Sequence, residues 1–83
     1  PQQLGLTLTV NDSLEQDGTT ADMVFPVAAI IEFISSFVTL QPGDVISTGT
    51  PAGVGKAKGK FLRPGDTVTA KIDNIGILRN PVV

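Results

Sequence analysis

A glycine-rich segment, residues 48–60, holds the residue types best suited to binding a small ligand. Thr48 and Thr50 flank Gly49 at the end of a predicted strand, and three further glycines follow. Hydroxyls beside a glycine, together with nearby backbone N–H groups, can bind a carboxylate or a phosphate. The pattern alone favours a plain surface loop over such an anion site, so both interpretations stay open at this point.

The same segment matches neither of the common nucleotide-binding loops. A P-loop needs glycine where the chain has Thr50, and Ser or Thr where it has Ala57. The dinucleotide fingerprint needs glycine in place of Lys58 and a helix after the loop, and we predict no helix there. Nucleotide binding is therefore not predicted.

Basic residues are concentrated in and just after this segment. Four of the six in the chain lie within eight positions: Lys56, Lys58, Lys60 and Arg63. Such a cluster can attract an acidic substrate towards the loop. More often it forms a solvated edge, and that is the interpretation we favour.

Only three carboxylates lie close enough in sequence to suggest a pair of metal ligands: Glu15, Asp17 and Asp22. Their spacing does not match a calcium-binding loop, and no third ligand follows at a recognisable distance. Hydrogen bonding within turns is the better interpretation of these side chains.

Composition limits the chemistry that the chain can complete by itself. Its 83 residues carry a net charge of −2 and include no His, Cys, Trp or Tyr. Disulfides, cysteine-ligated zinc, a thiolate nucleophile and the usual histidine base are thereby excluded. An acidic, aromatic-poor chain is no nucleic-acid binder. With no targeting signal and no apolar stretch long enough to cross a bilayer, a cytoplasmic location is expected.

The elements that position these residues are predicted to be mainly strands. Leu4 to Val10 alternate apolar and polar side chains, the period of a half-buried strand, and Asn11-Asp12 suits a tight turn. Residues 13–22 are polar and are interpreted as the rest of a hairpin or as a loop.

One amphipathic helix is predicted from Pro26 to Val38. Its apolar positions fall on a single stripe at helical spacing: Val27, Ile30, Ile31, Ile34, Phe37 and Val38. Proline suits the first helical position, because its missing N–H has no partner there in any case. We expect this helix to pack on a sheet.

A Leu-x-Pro-Gly-Asp repeat begins at Leu40 and again at Leu62. Pro-Gly fits the central positions of a type II turn. Each turn is predicted to lead into a strand, Val45 to Thr48 and then Thr67 to Ile72. Asp73-Asn74 is interpreted as a two-residue hairpin turn before a last strand within 75–83. The expected fold class is β-rich with one amphipathic helix.

Three stretches together resemble the C-terminal end of the fumarylacetoacetate hydrolase family. They are residues 16–25 (QDGTTADMVF), 40–55 (LQPGDVISTGTPAGVG) and 61–83 (FLRPGDTVTAKIDNIGILRNPVV). Its bacterial members include homoprotocatechuate-pathway isomerase/decarboxylases and acylpyruvate hydrolases. The resemblance implies a mixed β-sandwich roll, with residues 1–83 as the C-terminal portion of a larger catalytic domain. Asp12 and Asn74 stand where the family usually has glycine in hairpin turns, and both residue types tolerate that conformation.

The resemblance also implies an activity. Members of the family bind Mg²⁺ or Mn²⁺, which acts as a Lewis acid while a C–C bond of a small oxo-carboxylic acid is cleaved or a double bond shifts. The metal ligands and catalytic residues match no position of this chain, so the chain alone is expected to be inactive. Thr50 matches the threonine that binds the substrate carboxylate, and Gly49 shapes its loop. A cytoplasmic homodimer is expected for the full-length protein. The alternative is a non-catalytic β-rich binding or interaction module.

Overall fold

A four-stranded antiparallel sheet forms the centre of the computed structural model, which describes residues 1–83. The strands are β1 (Gly5–Val10), β2 (Ser13–Thr19), β3 (Thr67–Ile72) and β4 (Gly76–Pro81), and their order in the sheet is β2-β1-β3-β4. Since β1 is antiparallel to both of its neighbours, β2 and β3 point in the same direction on either side of it. Residues 20–66 join these two strands.

The β1–β2 hairpin confirms the first predicted strand and turn, and it contains a β-bulge. Asn11 and Asp12 have φ angles of 50° and 67°, as a two-residue type I′ turn requires. Past the turn, Thr9 pairs with Leu14 whereas Leu8 pairs with Gln16. The residue between them, Glu15, is therefore an extra residue in β2.

The β3–β4 connection is one residue longer than predicted. Ile72 pairs with Gly76, so residues 73–75 form the turn, and Asn74 has a φ of 61°. The N–H of Asp73 donates to the Gly5 carbonyl at 2.9 Å, and its carboxylate accepts the Gly5 N–H at 3.1 Å. The Ile75 N–H donates to the Ile72 carbonyl at 3.1 Å, so Asp73 and Asn74 are the central residues of a β-turn, as predicted. Ile75 is an additional residue of the connection, and its assignment to the last strand was wrong.

Both Pro-Gly-Asp turns are confirmed. Gly43 and Gly65 have φ angles of 96° and 95°. In each turn the aspartate N–H donates to the carbonyl three residues earlier, at 3.1 Å for Asp44 and 3.0 Å for Asp66. Each aspartate carboxylate also accepts the N–H of that same earlier residue, at 2.8 Å. The aspartate therefore closes its turn twice, which explains why it recurs in the repeat.

The strand predicted after the first of these turns, Val45 to Thr48, is wrong. This stretch forms no ladder, and the side chain of Val45 is 91% exposed. A strand requires hydrogen-bonding partners on at least one side, and residues 45–48 make no backbone hydrogen bond within residues 1–83.

The amphipathic helix α1 spans Val27–Ser35 and ends earlier than predicted. Pro26 is the N-cap rather than the first helical residue, and the Gln2 side-chain oxygen accepts the Val27 N–H at 2.8 Å. The predicted packing of this helix on the sheet was wrong, because packing between elements is essentially confined to the three strand pairs. Of the predicted apolar stripe, Val27, Ile30 and Ile34 are half-buried, whereas Ile31, Phe37 and Val38 are exposed. Neither this helix nor any other is long and apolar enough to span a membrane.

The sheet has one apolar and one polar face, and the apolar face is only half-buried. Alternation and strand pairing put seven apolar side chains on one face: Leu6, Leu8, Val10, Val68, Ala70, Ile72 and Leu78. The opposite face carries mainly threonines and charged residues, together with Leu14 and Ile77. No residue is fully buried, so residues 1–83 lack a closed core. The β-rich class with one amphipathic helix is nonetheless confirmed.

An acid-sensitive contact joins the second Pro-Gly-Asp turn to the first hairpin. Hydrogen bonds from the Arg63 N–H and then from the Asn11 amide lower the pKa of Asp66 below 3.8. Because the Asp66 carboxyl has a lower pKa in the folded protein than in the unfolded one, it stabilises the fold at pH values above its ordinary pKa. This stabilisation is lost as the pH falls through the lowered pKa. We therefore expect Asp66→Asn to flatten the decline of Tm between pH 5 and pH 3. Equal slopes of Tm against pH in the parent and the variant would contradict this prediction.

Candidate functional site

The glycine-rich segment lies against the outer strand β2. Pro51 packs on Gly18, where a Cβ would stand 3.0 Å from the proline Cβ. Gly53 has a φ of 112°, and a Cβ at this position would overlap the backbone carbonyl oxygen of Glu15. The loop and the strand are thus in backbone contact at Gly53, which only glycine permits.

An ion pair holds the far end of the segment on the same strand. The Lys58 ammonium donates to the Glu15 carboxylate at 2.7 Å and to the Glu15 carbonyl oxygen at 3.0 Å. Lys60 lies 3.6 Å from the other carboxylate oxygen, and the Glu15 side chain is only 13% exposed. The hydrogen bond from Lys58, aided by the charges of both lysines, lowers the pKa of Glu15.

These contacts change two of the sequence interpretations. The basic cluster is not simply a solvated edge, because Lys58 and Lys60 are bound to Glu15. Glu15, weighed as a metal ligand and then as a turn residue, is a strand residue that pairs with lysines. No three Asp, Glu, His or Cys side chains come together as a metal site within residues 1–83.

The Thr50 hydroxyl is bound by Gln16 of β2. The Gln16 side-chain nitrogen donates to Thr50 Oγ1 at 2.8 Å and to the Pro51 carbonyl oxygen at 2.8 Å. Thr50 is exposed, and its own hydroxyl proton has no acceptor in the chain. Gly49 beside it has a φ of 96° and no atom within 4 Å of a Cβ position, so it shapes an open loop. The hydroxyl is therefore free to donate to a ligand.

A one-turn helix, α2 (Gly55–Lys58), follows the loop where no helix was predicted. Its N-cap, Val54, makes no side-chain capping bond, and Gly59 ends it with a φ of 68°. The dinucleotide fingerprint still fails, since Lys58 is not glycine. From this turn the Lys58 ammonium reaches Glu15 of β2.

A cavity of about 710 Å³ lies between the apolar face of the sheet and residues 53–63. Leu8, Val10 and Val68 line it from the sheet, and Lys60 and Arg63 bring positive charge to it from the connection. Gln16 lines the same cavity and also binds Thr50. Glu15 and Asp66 line the cavity as well, so its two cationic and two anionic side chains balance, and Thr50 is not among its lining residues.

Gln16 is the site residue that sequence reasoning missed. If β2 continued from the turn without a bulge, Glu15 would pair with Leu8, and Gln16 would lie on the polar face. The bulge at Glu15 shifts this pairing, so Gln16 pairs with Leu8 on the apolar face instead. No local sequence signal marks the bulge, and the role of Gln16 was therefore not predictable from the pattern.

Comparison with known proteins assigns the chain to a family. The family described as fumarylacetoacetate (FAA) hydrolase C-terminal matches residues 1–83. The chain therefore belongs to the fumarylacetoacetate hydrolase family. An uncharacterized protein of Staphylococcus aureus (strain USA300) is 49% identical over 80 residues, which cover 94% of this chain and 27% of that protein.

Solved structures of the same family superpose closely on the whole chain. The 2-hydroxyhepta-2,4-diene-1,7-dioate isomerase from Mycobacterium marinum is 48% identical, with a TM-score of 0.88 over 100% of this chain and 31% of its own. Maleylpyruvate hydrolase from Sphingobium sp. SYK-6, in complex with manganese(II) ion and pyruvate, is 41% identical, with a TM-score of 0.90 over 100% of this chain and 30% of its own. The chain thus spans under a third of the length of these relatives.

Proposed function

We propose that this protein is a divalent-metal-dependent enzyme that hydrolyses, decarboxylates or isomerises small 2-oxo or β-diketo carboxylic acids at their C–C bonds. In this proposal residues 1–83 are the C-terminal portion of its catalytic domain and supply the loop that binds the substrate carboxylate. The observation that carries the proposal is the exposed Thr50 hydroxyl, which accepts a hydrogen bond from Gln16 and keeps its proton available. A homodimeric state and a cytoplasmic location stay predictions.

The substrate class is supported by the relatives and by the chemistry of the loop. Pyruvate, bound in the Sphingobium maleylpyruvate hydrolase, is a small 2-oxo acid with one carboxylate. A hydroxyl that donates to a carboxylate makes a charge-assisted hydrogen bond, which is stronger than a neutral one. In this chain Thr50 performs that binding, because its hydroxyl accepts from Gln16 and has its own proton free for the carboxylate.

The carboxylates of residues 1–83 do not fit a metal site. Glu15 is paired with Lys58, Asp66 accepts the Arg63 N–H, and Asp73 accepts the Gly5 N–H. A divalent ion needs several carboxylate or carbonyl oxygens directed at one point, and these three are separately occupied. The proposed Mg²⁺ or Mn²⁺ would therefore be held by residues outside this range and would supply Lewis-acid chemistry there.

A metal-dependence experiment tests the proposal. The full-length protein is assayed with acylpyruvates, oxaloacetate and hydroxyheptadienedioate after EDTA treatment, and again after addition of Mn²⁺ or Mg²⁺. We expect turnover of at least one substrate to be abolished by EDTA and restored by either metal. The isolated 83-residue chain is expected to show no turnover, because it contains neither a ligand set nor a base.

Two outcomes would contradict the proposal. Turnover that persists undiminished in EDTA would exclude a dependence on a divalent metal. Binding of these acids without turnover under any metal condition would favour the alternative, a non-catalytic binding module.

A further inference from the structure

We propose that Gln16 is a positioning residue for Thr50: its amide fixes the Thr50 hydroxyl as a hydrogen-bond donor to the substrate carboxylate. The inference rests on the proposed function in one respect, since it takes Thr50 to be the carboxylate-binding group. It adds a residue on a different element, the edge strand β2, whose side chain does not itself bind the substrate.

The orientation of the Gln16 amide follows from its two partners. The Pro51 carbonyl oxygen can only accept a hydrogen bond, so the amide nitrogen rather than the oxygen must face it at 2.8 Å. The second N–H of the same nitrogen then donates to Thr50 Oγ1, also at 2.8 Å. Both amide donors are used within the loop.

This orientation determines what the Thr50 hydroxyl can do. A threonine hydroxyl has one proton to donate and can accept through its lone pairs. Because Thr50 Oγ1 accepts from Gln16, its proton must point away from β2, and no acceptor in the chain takes it. Without Gln16 the hydroxyl could rotate or donate inward, and part of the substrate's binding free energy would be spent on restoring it.

The backbone around Gln16 keeps its side chain in place. The bulge at Glu15 puts Gln16 on the apolar face, and the Gly53 backbone approaches so closely that a Cβ there would lie 2.9 Å from Gln16 Cγ. The Lys58 ammonium donates to the Glu15 carbonyl oxygen at 3.0 Å. Gln16 is therefore half-buried between two backbone segments rather than free on the surface.

Two substitutions separate the donor from the shape of the side chain. Gln16→Met keeps the length of the side chain and removes both donors. Gln16→Glu keeps the shape but replaces the donor by an acceptor, which takes the Thr50 proton and adds negative charge beside an anionic ligand. We expect pyruvate, titrated into the Mn²⁺-loaded full-length enzyme, to bind about 3- to 10-fold more weakly in Gln16→Met. Gln16→Glu should weaken pyruvate binding further.

Kinetics and a carboxylate-free probe distinguish positioning from general support. In Gln16→Met we expect KM to rise with kcat nearly unchanged, because the affected contact is to the carboxylate rather than to the reacting bond. Binding of pyruvamide, which lacks the carboxylate, should change less than binding of pyruvate. Gln41→Met is the matched control, since the Gln41 side chain is exposed and makes no hydrogen bond; it should leave both affinities unchanged.

A double-mutant cycle with Thr50→Val decides the question. If Gln16 acts through Thr50, Gln16→Met should cost nothing further once Thr50 is valine. If the effects of the two substitutions on pyruvate binding are fully additive and each variant keeps the parental Tm, Gln16 does not act through the hydroxyl. That result would overturn the inference. If Thr50→Val alone leaves pyruvate binding unchanged, the carboxylate-binding role of Thr50 fails instead, and the inference fails with it.

Discussion

Thr50→Val is expected to lower kcat/KM of the full-length enzyme about 10- to 150-fold. Valine has nearly the shape of threonine but no hydroxyl, so the donor to the substrate carboxylate is lost. A hydrogen bond to a charged group contributes about 1.5–3 kcal/mol, which corresponds to this range. The effect should appear at subsaturating substrate, where kcat/KM is measured directly.

Two further substitutions serve as controls for this result. Thr50→Ser keeps the hydroxyl and removes only a methyl group, so it should lose much less activity. Thr39→Val alters an exposed threonine outside the candidate site and should change activity little. The thermal stability of Thr50→Val should stay near that of the parent, because the side chain is exposed. If Thr50→Val keeps the kcat/KM of the parent, the loop does not bind the substrate carboxylate and is a plain surface loop.

Gly53→Ala is expected to have the largest effect on structure, with a loss of about 2–5 kcal/mol in the free energy of unfolding. The new Cβ would overlap the Glu15 carbonyl oxygen, and the φ of 112° is unfavourable for alanine. The loop must then move away from β2, which separates Thr50 from Gln16. We therefore expect kcat/KM to fall together with the stability, as measured by urea unfolding and by steady-state kinetics.

Gly59→Ala is the matched control for the Gly53 substitution. Gly59 also has a positive φ, 68°, but a Cβ there would meet no atom within 4 Å. Gly59→Ala should therefore lower the free energy of unfolding only by the backbone strain of about 1–2 kcal/mol, and activity should change little. If the two variants lost equal stability, the close approach of Gly53 to β2 would not be a stabilising contact of the fold.

Local turn chemistry was the most predictable part of the fold. Asn11-Asp12 and the two Pro-Gly-Asp turns formed as expected, because the conformational preferences of these residues act over four positions and need no distant partner. The strand at Val45 to Thr48 and the packing of α1 failed for the opposite reason. A strand needs a neighbour and an apolar helix face needs a covering surface, and neither is specified by the residues of the element itself.

The candidate site was predictable only in part. Thr50 and Gly49 were indicated by the resemblance to a family, and their role is still a proposal. Gln16 and the Glu15–Lys58 pair depend on the bulge in β2, which changes which side chains face the loop. From the sequence, Glu15 was interpreted as a turn residue and Gln16 was given no role, because a local pattern does not show where a strand is interrupted.

The arrangement of β2 and β3 on either side of β1 has a consequence for handedness. The two strands are parallel, so residues 20–66 form a crossover connection, and crossovers between parallel strands of one sheet are right-handed in about 98% of cases. Strand order and handedness therefore select the face of the sheet that the crossover covers, independently of side chains. The alternation of Leu6, Leu8 and Val10 selects the apolar face independently. The cavity lies where residues 53–63 of this connection approach the apolar face.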